Sequence, residues 1–407
     1  MHTHPRVAGA AGWDARPTLA QIVRRYGTGD DNNNNSGRLS AVQRRALRAI
    51  ARCRTAELGG HLAQCDACGE RQYHYHSCRN RHCPQCQTLA KERWLAARRA
   101  ELLPVPYFHL VFTLPHELNA LAQGNPRAIY GLLFAAVSQT LLEFGRNPRW
   151  LGGEIAASLL LHTWNQVLLQ HLHLHCLVAG GALAPDGQWI CPKRGSLFPV
   201  QAPSAVFRGK FLARLATLLA KGQLKLAGST AALVHPSAQR RFLATLRTHD
   251  WVVYAQRTPA GPQGLLDYLA RYVYKTAISN HRLLDLDPQG QVRFSWRDRA
   301  QGNRRRTMQL PAAQFLDRFV HHVLPSGFMR IRHIGVLANR HKRGLLAQAR
   351  AALAAPAPQP LTKESAEQLC LRVMGIDIQR CPVCGLGRLR LVARLPRLRI
   401  PYHARAP

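Results

Sequence analysis

An α+β fold, with strands and helices mixed rather than alternating, is predicted by three features of this sequence. Runs rich in aromatic and β-branched residues mark strands at 107–114, 170–178 and 251–255. Apolar residues recur at helical spacing over 126–144, 204–220 and 237–248. No regular strand, helix, strand repeat links them, which argues against a doubly wound parallel sheet.

The chain has 407 residues, 46% of them hydrophobic, enough for a sizeable core and two or three domains. Lys and Arg number 56 against 21 acidic residues, a formal net charge of +35. A field of that sign draws in polyanions, so nucleic acid is the expected partner; ribosome-associated and anionic-membrane binding are the bland alternatives. Apolar runs such as 155–161 are far shorter than the roughly 20 residues a bilayer core demands, so no membrane partner is expected. Residues 1–20 carry His, Arg and Asp without an apolar core, unlike a secretory signal, and the expected compartment is the cytoplasm.

In order along the chain, Leu19, Ile22 and Val23, then Val42, Leu47 and Ile50, predict two helices. The intervening 27–37, with Asp30, Asp31 and a run of Asn, has nothing to bury and reads as a loop. Cys and His crowd 53–86, and a helix at 89–103 is ended by Pro104 and Pro106. The strand at 107–114 opens a second domain. After the strand at 170–178, Gly180-Gly181 and Pro185-Asp186-Gly187 are expected to turn the chain toward a short strand at 188–191. A helix from about Gly264, a strand at 292–296 and a basic strand at 304–310 follow. The Ala/Pro-rich 351–360 reads as a linker to a basic tail hanging off the body. The expected domains are 1–104, small, helical and zinc-binding; 105–343, catalytic; and 344–407, linker and tail.

Cys65-Asp-Ala-Cys68 and Cys83-Pro-Gln-Cys86 have the spacing of paired zinc knuckles, because two thiolates on one tight turn fit tetrahedral zinc and two turns close its shell. Cys78 and His82 are additional candidate zinc ligands, with Cys53 and His61 as further alternatives. Cys381-Pro-Val-Cys384 has no second pair after it: half a site, a site completed elsewhere and no site are equally open. The eleven cysteines, several in such pairs, point to metal rather than disulfides.

His171, His173 and His175 alternate with Leu172 and Leu174, which in a strand lines the imidazoles along one face. Burying three unpaired imidazoles is costly, so convergence on an ion is preferred to a core role. Tyr268 and Tyr272 lie one helical turn apart beside Arg271 and Lys275. Aromatics at that spacing are usually core; equally, a hydroxyl pair in a basic cleft suits nucleophiles. Trp164, Tyr254, Phe294 and Trp296 among Arg293, Arg297 and Arg299 offer base stacking, though most are expected in the core. Arg304, Arg305 and Arg306 are expected to track phosphates.

The chain resembles the two-tyrosine HUH transposases of rolling-circle bacterial insertion sequences. The resembling segments are 78–86 (Cys-Arg-Asn-Arg-His-Cys-Pro-Gln-Cys), 111–116, 170–176 with Gly180-Gly181, 268–272 (Tyr-Leu-Ala-Arg-Tyr) with 277–280, and 327–333, in the family's order. The resemblance implies a central antiparallel sheet with flanking helices. It implies that His173 and His175 form the HUH motif holding Mg or Mn, with His171, His109 or Asn280 as third ligand. Tyr268 and Tyr272 would be the nucleophiles, one cutting an element end and keeping a 5′-phosphotyrosine, the other acting in strand transfer; Lys275 would hold a phosphate. Single-stranded DNA, at element ends and target, is the implied partner, in a bacterial, nucleoid-associated setting. Two departures stand out: the Asn-rich loop, and Tyr274-Lys275 where the family more usually has His-Arg. A non-catalytic zinc-dependent DNA-binding protein is the alternative, and a hydrolase using His173 and His175 to activate water is a third reading.

Overall fold

The computed structural model describes residues 16–27, 39–192, 196–257, 261, 263, 264, 266, 267, 270, 277–298, 300–356 and 364–398. Two compact units are each gathered from separated segments: one from 1–93, 274–320 and 362–407, the other from 94–273 and 321–361. These units cross the linear boundaries expected at 104/105 and 343/344, because strand pairing returns the C-terminal segment to the N-terminal one.

Helices α1 (Leu19–Tyr26) and α2 (Ala41–Ala51) each begin at a capping box, Thr18 with Gln21 and Ser40 with Gln43, which satisfies the first free amides. Strands β1 (Gly60–Cys65) and β2 (Arg71–Tyr75) precede α3 (Thr88–Arg99) and β3 (Tyr107–Thr113). Then come α4 (Asn119–Gly124), α5 (Pro126–Arg146), β4 (Glu154–Trp164), β5 (Gln170–Leu183) and β6 (Trp189–Ile190). Helices α6 (Gln201–Ala220) and α7 (Pro236–Thr248) lead to β7 (Val253–Arg257). Further on are β8 (Leu283–Leu286), β9 (Gln291–Asp298), β10 (Arg304–Pro311), β11 (Ile331–Gly335) and β12 (Leu389–Leu395).

The unit built from 94–273 and 321–361 is an antiparallel sheet in the order β11-β4-β5-β3-β7, with β6 paired to the far end of β5. One face is apolar: Leu172, Leu174, Cys176 and Val178 of β5 and Leu159 and Leu161 of β4 join the core with α5 and α6. Phe207 of α6 sits within it, edge-on to Phe112 at 5.2 Å and Trp251 at 5.1 Å. Helix α5 is long and apolar enough to cross a membrane by length and composition, a property the interrupted apolar runs conceal. It is nonetheless a core helix, with Ile129, Leu133, Phe134, Val137 and Leu141 fully buried. Strand β4 lacks the alternation that marks a half-exposed strand, since all but its first residue are buried. Gly180-Gly181 do not turn the chain: β5 runs through them to Leu183, and the turn comes at Pro185-Asp186-Gly187. Gly181 is there for close packing, as a Cβ would meet the Trp189 indole nitrogen at 2.3 Å.

In the other unit, α1 and α2 bury Leu19, Ile22, Val23, Leu47 and Ile50, and the Leu19 amide donates to Asn280 Oδ1 at 3.1 Å. One sheet, β10-β9-β8, packs Phe294 against Phe315 of the helix Ala312–Val320, ring centroids 5.8 Å apart. A second sheet, β12-β1-β2, shows that the cysteine-rich region is not simply helical. Two of the aromatics considered for base stacking are core, Trp164 and Phe294, whereas Tyr254 is exposed.

Candidate metal centres

Strand pairing fixes what stands on the sheet face opposite the apolar core. His173 of β5 lies across from His162 of β4 and Thr113 of β3; His175 lies across from Leu160 and Val111. Cross-strand neighbours on one face are close enough to touch, and three ring nitrogens converge. His162 Nδ1 is 2.8 Å from His173 Nε2, which is 3.1 Å from His175 Nε2. A cation with ligands at about 2.1 Å and right angles between them spaces its donors about 3.0 Å apart, which these separations match.

The surrounding bonds bear on the tautomers. His173 Nδ1 donates to the His171 carbonyl at 3.1 Å, leaving a lone pair on Nε2. His175 Nδ1 lies 2.9 Å from His109 Nε2; with the proton of that bond on His175 Nδ1, the lone pair of its Nε2 turns inward. Lone pairs this close repel unless a cation lies among them. All three imidazoles are buried, and burial together with its histidine neighbours holds His162 well below the usual range, in the neutral form metals take. Burial likewise pushes His109 down to about 4.

His171 is not part of this group: it is exposed at the strand's start and contributes its carbonyl, while its ring lies tilted with its centroid 4.8 Å from that of His173. His162 completes the group of three convergent rings, and His109 contacts His175 from outside it. Asn280 lies in the other unit, occupied with the Leu19 amide. Tyr268, Arg271, Tyr272 and Lys275 lie outside the described residues; within the same segment Leu266 and Ala270 are helical and buried. Arg304 and Arg305 are exposed on β10, while Arg306 pairs with Asp298 at 3.1 Å.

The cysteines group differently from their spacing. Cys53, Cys78, Cys83 and Cys86 form one set, and Cys65, Cys68, Cys381 and Cys384 another. The two N-terminal Cys-x-x-Cys pairs therefore do not share a site, because β1 and β2 carry Cys65 and Cys68 away on their hairpin. His82 is not in either set; its ring nitrogen lies 3.0 Å from Asn80 Oδ1, and His61 stacks on His74. Cys78 and Cys86 sulfurs are 3.7 Å apart, close to the about 3.8 Å edge of a tetrahedron with metal–sulfur bonds of about 2.3 Å. A disulfide would bring them to about 2.05 Å.

Convergent imidazoles on an open sheet, with clustered thiols in the other unit, define a metal-binding α+β protein. A family model described as "Putative transposase" matches residues 157–344, and one described as "Transposase zinc-binding domain" matches 22–114. The chain is 45% identical over 377 residues to the "Putative transposase y4qJ" of Sinorhizobium fredii, covering 92% of this chain and 94% of that one. It is 28% identical over 354 residues to the "Transposase for insertion sequence element IS801" of Pseudomonas savastanoi pv. phaseolicola, covering 86% and 83%. The chain belongs to the IS91-type transposases, enzymes acting on DNA, and carries their N-terminal zinc-binding domain.

Proposed function

We propose that this transposase nicks and transfers single-stranded DNA at insertion-sequence ends through a 5′-phosphotyrosine, in rolling-circle transposition. The convergence of His162, His173 and His175 carries the reading. Three ring nitrogens on one side of a point leave the remaining octahedral positions open to phosphate oxygens, and Mg or Mn bound there would neutralise charge on the scissile phosphate.

The chain's own residues supply the rest. A phenolic oxygen of Tyr268 or Tyr272 attacks phosphorus in line; the new tyrosine O–P bond replaces the P–O3′ bond, and the proton lost by the phenol is balanced by one gained at the 3′-oxygen. The reverse reaction, with a different 3′-hydroxyl, reseals the strand, and a second tyrosine allows two ends to be handled. In support, the buried residues Leu266 and Ala270 are two positions out of step with the tyrosine pair. Lys275 and Arg271 are proposed phosphate contacts at the tyrosines, and Arg304 and Arg305 of β10 at a distance from them in sequence.

Incubation with a single-stranded oligonucleotide carrying an element end, in Mn or Mg, is expected to give a covalent protein–DNA adduct that the Tyr268→Phe/Tyr272→Phe variant abolishes. Cleavage that survives in that variant would assign water as the nucleophile. Binding without any adduct in the unaltered protein would favour a non-catalytic DNA-binding role.

A further inference from the structure

We infer that Cys65, Cys68, Cys381 and Cys384 hold a second structural zinc ion, which closes the N-terminal zinc-binding domain with a knuckle from the far end of the chain. The match to that domain stops at residue 114, so half of this site lies outside it.

Two equivalent turns face each other. In the first, the amides of Ala67 and Cys68 point at Cys65 Sγ at 3.4 and 3.5 Å, and the Gly69 amide bonds the Cys65 carbonyl at 3.1 Å. In the second, the Gly387 amide points at Cys384 Sγ at 3.4 Å and the Gly385 amide bonds the Cys381 carbonyl at 3.0 Å. Amides aimed at sulfur stabilise thiolate, the form that binds metal. Across the two turns, Cys65 Sγ is 3.7 Å from Cys384 Sγ and Cys68 Sγ is 3.8 Å from Cys381 Sγ, the edges of a tetrahedral four-thiolate shell.

The approach is enforced by the backbone. A Cβ on Gly387 would lie 2.4 Å from Cys65 Sγ, so glycine is what lets the second turn close on the first. Asp66 then clamps the C-terminal hairpin, accepting from the Arg388 amide at 2.7 Å and Arg390 Nε at 3.2 Å. Strand β12 continues the join by pairing with β1 from Cys65↔Leu389 to Gly60↔Leu395. Four thiols leave no open position, so the ion's role is structural.

The test is independent of the histidine centre. Native mass spectrometry of the full chain is expected to show two zinc ions per chain. N-ethylmaleimide should label the exposed Cys191 at once, while Cys68, also exposed, and Cys384 resist until a chelator is added. Cys381→Ser/Cys384→Ser should retain one zinc and expose Cys68 to label; Cys83→Ser/Cys86→Ser should also retain one but keep Cys68 protected. A single zinc in the unaltered chain, with Cys68 and Cys384 labelled as fast as Cys191, would overturn the inference. The unaltered chain decides even if the serine variants do not fold.

Discussion

His162 shows how a candidate ligand escapes detection at the level of the single residue. It stands alone in an apolar run, Leu161-His162-Thr163-Trp164, with no motif to mark it, whereas His173 and His175 declare themselves by alternating with leucine. Only the pairing of β4 with β5 sets it opposite His173. The exposed His171, which shares the alternation, misleads for the same reason: period two fixes a face of the strand but not how far along it the ion lies. His162→Ala is expected to weaken Mn binding about tenfold or more, and His171→Ala to change it little, by calorimetric titration. Buried histidines also set an acid limit. Burial pushes His322 down to about 4, and burial with the Arg98 and Lys342 charges does the same to His333. Each folded value lies below the unfolded one near 6.5, so their stabilising contribution is complete above about pH 6.5 and drains away toward about pH 4. Urea midpoints of metal-free protein should fall between about pH 7 and about pH 5; a flat profile would mean that these rings titrate in the open.

At the scale of elements, periodicity reveals what is half-exposed and hides what is wholly enclosed. The two capped N-terminal helices, α5, α6, α7, β3 and the start of β5 were legible because apolar and polar residues are in phase with one geometry. Strand β4 was not, being enclosed on both faces, and β11 is too short to carry a pattern. Packing within the sheet unit depends on α6: Phe207 has no exposed surface and touches Phe112, Phe211 and Trp251. Phe207→Ala should cost about 3–5 kcal/mol of unfolding free energy, read by chemical denaturation at constant slope. Thr18→Ala removes the side-chain acceptor at the start of α1 and is expected to cost about 1 kcal/mol, with the sheet unit's own core untouched.

For the whole molecule, composition foretold the partner and spacing the presence of metal, but neither could say which cysteines meet. The Cys65–Cys384 and Cys68–Cys381 contacts span 319 and 313 residues, beyond the reach of any local spacing rule. Charge makes its own prediction. With +35 overall, affinity for single-stranded DNA should fall steeply with salt, and Arg304→Ala/Arg305→Ala should flatten the log–log slope by about 1 to 2 if both meet phosphates. Fluorescence anisotropy across a salt series measures it, and an unchanged slope would remove β10 from the DNA surface.

The pairing of β1 with both β2 and β12 also sets how late in synthesis this sheet can be completed. During translation β2 emerges ten residues behind β1, but the other edge stays bare until residues 389–395 clear the ribosome. A product ended by an early stop codon therefore carries an open strand edge into the cell, a template for aggregation. Only a message read nearly to its end yields a β1 that is paired on both sides.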